Sequence, residues 1–287
     1  MYNKNYWIWK NNAIKRIVNK HIDAYVRNFT YRHINQIDDP DGTLNMKIHN
    51  VFISSLNPEI QYYTALVRSF DSSLGNMIER MAIDIARLSY KVNKSVHGPL
   101  GVEQTRFIAD LLEKYKTRQM KPSVQDYQNL RNISSDKSYS KRHDSDYYLI
   151  DRHGNHYLIE LKIGGDLDNK KSRSEKEAIL EQYAILSNTL PKDTDIKIFF
   201  ATAYNRYGEE NKWDQQRVRQ FFAEDELLIG RDFWNFICRS NRGYEIVLNA
   251  YQDKTYLIRK SLDNIKNLYL GRKEIIEQKP IQIQNYQ

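Results

Sequence analysis

The chain has 287 residues, 40% of them hydrophobic and 12% aromatic, enough for a sizeable core in one large domain or two small ones. No apolar run approaches the roughly 20 residues of a membrane span, the opening Met-Tyr-Asn-Lys-Asn-Tyr-Trp lacks signal-peptide character, and a lone Cys238 excludes a disulfide framework or cysteine zinc site. Lysine and arginine outnumber aspartate and glutamate, 44 against 36, which favours a polyanionic partner, nucleic acid first, in a reducing cytoplasm.

Residues 7–29 carry Ile14, Ile17, Val18, Ile22, Tyr25, Val26 and Phe29 at helical spacing, with Lys and Arg between them. Asp38-Asp-Pro-Asp-Gly42 reads as an exposed turn. A second helix is expected over 71–90, with Leu74, Met77, Ile78, Met81, Ile85 and Leu88 inward. Beside that stripe run Gly75, Glu79, Ala82 and Ala86, small residues that let another element approach. Glu79 is either an exposed flank residue or a carboxylate supporting a site. His97-Gly-Pro-Leu-Gly101 reads as a chain break. A helix over about 102–118 follows, then a polar, irregular stretch over 119–143.

Residues 144–162 read as two apolar strands, Tyr147–Ile150 and Tyr157–Leu161, joined by a polar turn with Gly154. Side chains two apart on a strand share a face, so Glu160 and Lys162 point the same way. Antiparallel neighbours lie roughly 5 Å apart, which brings Asp146 beside them. Asp144 has the same parity as Asp146 and is the alternate carboxylate. His153 and His156 flank a Gly-Asn turn and read as turn polarity, without a third metal ligand nearby.

After the hairpin, Ile163-Gly164-Gly165-Asp166 makes a sharp exit, and Asn169-Lys-Lys-Ser-Arg173 is basic. A largely buried helix is expected over 174–189 with Gln182 inside it, either satisfied structurally or presented to the site. Asp195–Thr202 reads as a central strand after a crossover. The loop that follows holds Tyr204, Asn205, Arg206 and Lys212, with Arg217 and Arg219 in a helix over about 214–223. Loops at the carboxyl ends of strands are where α/β folds hold ligands, so these residues, with Lys170, Lys171, Arg173 and Gln182, are candidate DNA contacts. Ser240–Tyr244 reads as a turn, Glu245–Leu248 as a short strand, and 252–270 as a closing helix. The fold class is α/β: a central mixed sheet flanked by helices, with an added helical N-terminal region. One domain over 1–287 is expected, helical over about 1–125, sheet core over about 140–250, and a closing helix and tail over about 251–287.

Hydrolysing a phosphodiester needs a nucleophilic water and a stabilised leaving alkoxide, and Mg²⁺ serves both. Asp146 and Glu160 supply carboxylates, the Leu161 backbone carbonyl is a further candidate ligand, and Lys162 would hold the attacking water or neutralise phosphate charge. A cation nearby should lower the pKa of Lys162. A surface hairpin with an ordinary Glu–Lys pair is the competing reading.

Asp146 … Glu160-Leu-Lys162, in these surroundings, resembles the PD-(D/E)xK nuclease superfamily and, within it, Type II restriction endonucleases. The match covers about 144–202, and Ser145 stands where a proline often precedes the aspartate. Arg142–Ile150, Ile163–Lys171, Ala201–Asn205 and Ile229–Ile237 are similar to stretches of the restriction enzyme family typified by TdeIII. The resemblance implies a restriction-endonuclease-like core, Glu79 as the upstream helical glutamate, and Mg²⁺-dependent cleavage of double-stranded DNA. It also implies a short palindrome, of the GGNCC type, cut by a homodimer with a cognate DNA methyltransferase in the same system. A repair or junction-resolving nuclease of the same superfamily, or a non-catalytic DNA-binding protein, is the alternative.

Overall fold

The computed structural model describes residues 4–277, with the side chains of Ile48, Asp146 and 272–277 outside that description. The chain divides into two compact units. A sheet unit takes residues up to Ile14 and Met81–Val247, and a helical unit takes Lys15–Arg80 and the described residues from Leu248 on. The α-helices are α1 (Lys4–Asn35), α2 (Val51–Ser54), α3 (Pro58–Ala86), α4 (Val102–Lys116) and α5 (Val124–Gln128), then α6 (Asn169–Thr189), α7 (Gln216–Arg219), α8 (Arg231–Cys238), α9 (Gly243–Gln252) and α10 (Thr255–Glu277).

Among the described residues, five strands form one mixed sheet in sequence order: β1 (Lys91–Gly101), β2 (Ser138–Ile150), β3 (His156–Leu161), β4 (Ile196–Thr202) and β5 (Leu227–Ile229). β1, β2 and β3 are antiparallel neighbours, and β4 and β5 run parallel to β3. The fold is therefore α/β, with helices flanking the sheet and a helical N-terminal region. α6 is the crossover between β3 and β4. Its Ile179, Leu180, Tyr183 and Ile185 share one core cluster with Tyr148, Leu158, Ile198 and Phe200 of the sheet. α8 covers the other face, where Phe233 meets Tyr147 edge-on at 6.0 Å and Phe236 meets Tyr157 at 5.1 Å. Burying both faces of a sheet is what a parallel pair such as β3–β4 requires.

In the helical unit, Tyr25 stacks on Phe29 at 5.4 Å and Phe70 meets Phe29 edge-on at 6.1 Å. His33 is fully buried. Its Nδ1 donates to the Phe29 carbonyl at 2.9 Å, and its Nε2 lies 3.0 Å from the Ser69 hydroxyl, which is satisfied if Nε2 accepts. Tyr62 packs on Tyr269 at 5.2 Å.

Several elements differ from the sequence reading. His97–Gly101 is part of β1, not a break. β1 is an edge strand, where an exposed Pro99 is tolerated. Gly98 faces α6, and a Cβ there would lie 2.9 Å from both Ile185 Cγ2 and Thr189 Cγ2. Glu245–Leu248 is helical: Ile246, Val247 and Ala250 are buried at helical spacing within α9. The irregular stretch over 119–143 contains α5 and the first residues of β2. The helix expected over 214–223 is only the single turn of α7, and β5 and α8 form where the sequence pattern predicts no element. Among the described residues no helix is long and apolar enough to cross a membrane.

Candidate active site

The β2–β3 turn is set by Asp151, which is 7% exposed. Its Oδ1 accepts from the amides of His153 at 2.8 Å and Asn155 at 3.1 Å, and its Oδ2 accepts from Asn155 Nδ2 at 3.1 Å and the Tyr157 hydroxyl at 3.2 Å. Burial pushes the carboxyl pKa up, but the amide hydrogen bonds and Arg239 outweigh it, and the net shift is downward. Gly154 completes the turn at φ +82°, a conformation that favours glycine. His153 accepts from Arg152 Nε at 3.0 Å, and His156 Nδ1 pairs with the Tyr148 hydroxyl at 2.7 Å. Both histidines are engaged in the turn and its flanks.

Beyond the turn the register is Tyr147↔Ile159, Tyr148↔Leu158, Leu149↔Tyr157 and Ile150↔His156. The ladder ends at Tyr147↔Ile159, with Asp146 next along β2 and Glu160 next along β3. On the other side Glu160 pairs with Phe200 and Leu161 with Ala201 of β4. The ladder continues past the strand, with the Lys162 amide donating to the Ala201 carbonyl at 3.0 Å and the Ala203 amide to the Ile163 carbonyl at 3.1 Å. Glu160 and Lys162 thus sit at the carboxyl end of a strand between β2 and β4, the place where α/β sheets hold ligands.

The Lys162 ammonium lies 2.5 Å from Glu160 Oε1 and 3.1 Å from Glu175 Oε1, and all three side chains are half-buried. Burial alone would lower the lysine pKa, but the two carboxylates outweigh it and hold the ammonium above the ordinary lysine range. Glu175 is the site residue that sequence reasoning missed. Asp168 caps α6 by accepting the Lys171 amide at 2.7 Å, so the helix begins at residue 169, five residues before the expected start. In that register Glu175 falls on the sheet-facing stripe with Ser172 and Ile179, and an acidic residue on such a stripe was the available signal.

β2 is irregular beside this site. Its pairing with β1 steps from Asn93↔Tyr148 to Ser95↔Asp144, a bulge of the kind found next to active sites. Lys141 Nζ and His143 Nε2 lie 2.6 and 2.9 Å from Glu181 Oε2 of α6, whereas Tyr148, five residues on, packs in the same α6-side core. An odd interval on one face means that the bulge reverses the alternation. Asp144 consequently falls on the face away from α6, 87% exposed and paired with Arg142 at 3.4 Å. Parity across the bulge no longer links it to Glu160 and Lys162. Asp146 lies within the irregular stretch, and its side chain is outside those described. Glu79 is half-buried on α3, in the helical unit.

Gly164 and Gly165 form the exit. A Cβ at Gly164 would meet the Tyr204 hydroxyl at 2.6 Å, and Gly165 has φ +64°. Asp166 gathers the following loop, accepting from Arg206 at 2.8 Å and from Gln215 at 3.2 Å. Asn205 is buried within its own loop, donating to the Asn211 carbonyl at 2.7 Å and accepting the Tyr207 amide at 3.0 Å. Arg173 turns to Glu113 of α4 at 3.3 Å, and Arg219 pairs with Glu224. Gln182 is buried and its Oε1 has no hydrogen-bond partner among the described residues. Lys170, Lys171, Tyr204, Lys212 and Arg217 remain exposed.

Among the described residues no group of three or more His, Cys, Asp or Glu side chains stands ready around a metal. The donors that do converge, Glu160 and Glu175, are carboxylate oxygens, the chemistry that a hard divalent cation accepts. A family model described as Type II restriction endonuclease, HinfI, matches residues 10–254. No curated protein matches the chain.

Proposed function

The chain belongs to the HinfI family of Type II restriction endonucleases, and from that membership we propose that Glu160, Lys162 and Asp146 at the exit of β3 form its phosphodiester-cleaving centre. The observation that carries this assignment is the convergence of Glu160 and Glu175 on the Lys162 ammonium at the carboxyl end of β3. Family membership makes the protein a site-specific deoxyribonuclease acting on DNA. In that reaction water adds to phosphorus, one P–O ester bond breaks, and the two strand ends carry a phosphate and a hydroxyl.

Lys162, held between two carboxylates, is a hydrogen-bond donor and charge partner. It positions the attacking water or neutralises the phosphate, and Glu175 reaches its ammonium from the α6 side. Glu160, Asp146 and the Leu161 carbonyl would hold Mg²⁺, which when bound supplies Lewis-acid activation of water and charge neutralisation. Asp146 is favoured over Asp144 because it adjoins Tyr147, the last β2 residue paired with β3, next to Ile159 and Glu160. Exposed Lys170, Lys171, Tyr204, Lys212 and Arg217 are the proposed DNA contacts. The proposal extends to double-stranded DNA with a short palindromic site, a homodimer matching its two-fold symmetry, a cytoplasmic location and a cognate methyltransferase. It takes residues 1–287 as one nuclease. The likeness to TdeIII remains a likeness of the four stretches that carry it.

Incubating unmethylated phage DNA with Mg²⁺ and sequencing the fragment ends tests the reading. Discrete fragments with one shared end sequence support it. A smear means a non-specific nuclease of the repair or junction-resolving kind, and retardation without cleavage means a binding protein. Persistent cutting in EDTA would remove the metal from the mechanism.

A further inference from the structure

At the opposite end of the same strands, a pocket of about 520 Å³ opens between the first turns of α1 and the β1–β2 edge. Its walls carry Lys10, Lys91, Arg152 and Arg239, and Arg87 is drawn to Asp84 outside it. The one carboxylate in the wall, Asp151, is committed to its own turn and to the Tyr157 hydroxyl, and Arg239 approaches it at 3.5 Å. The wall therefore carries more cationic than anionic side chains.

Lys10 is the unusual member. It is only 2% exposed, and among the described residues its ammonium has neither a carboxylate nor a hydrogen-bond partner. It lies 5.7 Å from the ring of Tyr6 and 5.4 Å from that of Trp7, which gives partial compensation through the ring faces. Burial lowers its pKa; the Cys238 thiol opposes that shift and Arg239 adds to it. A buried, unpaired ammonium is costly unless an anion completes it, and arginine forks beside it suit a phosphate group.

We propose that this pocket is a phosphate-binding site, taking either a phosphate of the DNA backbone away from the cut or the phosphate of a free small molecule. It is not the scissile position. β3 runs from His156 beside the pocket end to Leu161 beside the cleavage site, about 17 Å at 3.3 Å per residue. The inference does not depend on the roles of Glu160 and Lys162, which cleavage assays test separately.

The test compares thermal unfolding of wild type and Lys10→Met in inorganic phosphate and in chloride at equal ionic strength, together with duplex affinity in the absence of Mg²⁺. Lys10→Met keeps the apolar stem and removes only the charge. Wild type should be stabilised by phosphate beyond chloride, and the variant should lose that increment. If the source is the DNA backbone, Lys10→Met also weakens duplex binding about tenfold and lowers the slope of log K against log salt by about one. If the source is a free phosphate compound, duplex affinity is unchanged while the phosphate-specific stabilisation still disappears. Lys91→Ser and Arg152→Ser at the exposed rim should weaken the same responses, and they carry the test if Lys10→Met does not fold. No phosphate-specific stabilisation of wild type, with duplex binding unaltered in all three variants, overturns the proposal.

Discussion

Lys162 holds its position because two carboxylates reach it from different elements, Glu160 from its own strand and Glu175 from α6. Glu160→Ala should abolish cleavage while duplex affinity stays within about tenfold, because it removes chemistry and leaves the binding surface intact. Glu175→Gln keeps the shape but removes one of the charges that raise the Lys162 pKa. It should cost about 10–100-fold in cleavage rate, the scale for residues that orient a reacting group, and the Lys162 ammonium should titrate at lower pH when followed by NMR at Nζ. If Glu175→Gln cuts at the wild-type rate, the α6 carboxylate is only a structural partner. The Asp144 and Asp146 alternatives separate in the same assay: Asp146→Ala should be inactive, and Asp144→Ala, altering a carboxylate exposed on the other face, should retain activity within a few-fold.

α6 is the element on which the site depends. Its N-terminal half presents Glu175 to Lys162, its middle gives Glu181 to Lys141 and His143, and its C-terminal half crosses β1 at Gly98. Gly98→Val would force Ile185 and Thr189 aside. Overpacking of this kind costs about 1–3 kcal/mol, and denaturant unfolding should report that loss together with weaker cleavage, since the same helix carries Glu175. α6 also buries Lys176 completely, 2.5 Å from Glu226 and 4.8 Å from the Phe222 ring centroid. Glu226→Leu alone should destabilise by about 3–5 kcal/mol, because it leaves a buried ammonium without its partner. Combining it with Lys176→Met should recover most of that loss. If the double variant is no more stable than Glu226→Leu, the pair is not the source of the cost.

On the scale of the whole molecule, acid should act on both units through buried histidines. Burial lowers the pKa of His33 in the helical unit and of His156 in the sheet unit. The unfolded chain therefore binds these protons more readily, so stability is full above the ordinary histidine value near 6.5 and falls as pH drops below it. Asp151, with its carboxyl pKa lowered, adds a second loss on further acidification through the ordinary carboxylate value near 4 and down through its folded value. Melting temperature measured from pH 7.5 to 3 should show both declines, and His33→Gln should reduce the first. A profile flat between pH 7 and 5 would contradict the burial of both imidazoles. The net charge of +8 predicts duplex binding that weakens steeply with salt, and a homodimer predicts a sedimentation mass of twice the chain.

The sequence alone determined the hairpin, the order of strand, strand, helix and strand after it, and the pairing of Glu160 with Lys162 on one face, because these follow from periods of two and 3.6 residues and from turn chemistry. It also determined that His153 and His156 serve the turn. Only the tertiary structure decided the rest. β1 was hidden by Gly98 and Pro99, whose meaning depends on a helix crossing and on an edge position, neither of which is local. The strand expected at Glu245–Leu248 became part of α9, where Ile246, Val247 and Ala250 are buried at helical spacing rather than at alternate positions. The bulge in β2 reversed the face of Asp144, which no count of alternating residues can foresee. Glu175 became part of the site because β3 and α6 meet in space, and charges separated along the chain interact only once the fold has brought them within a few ångströms.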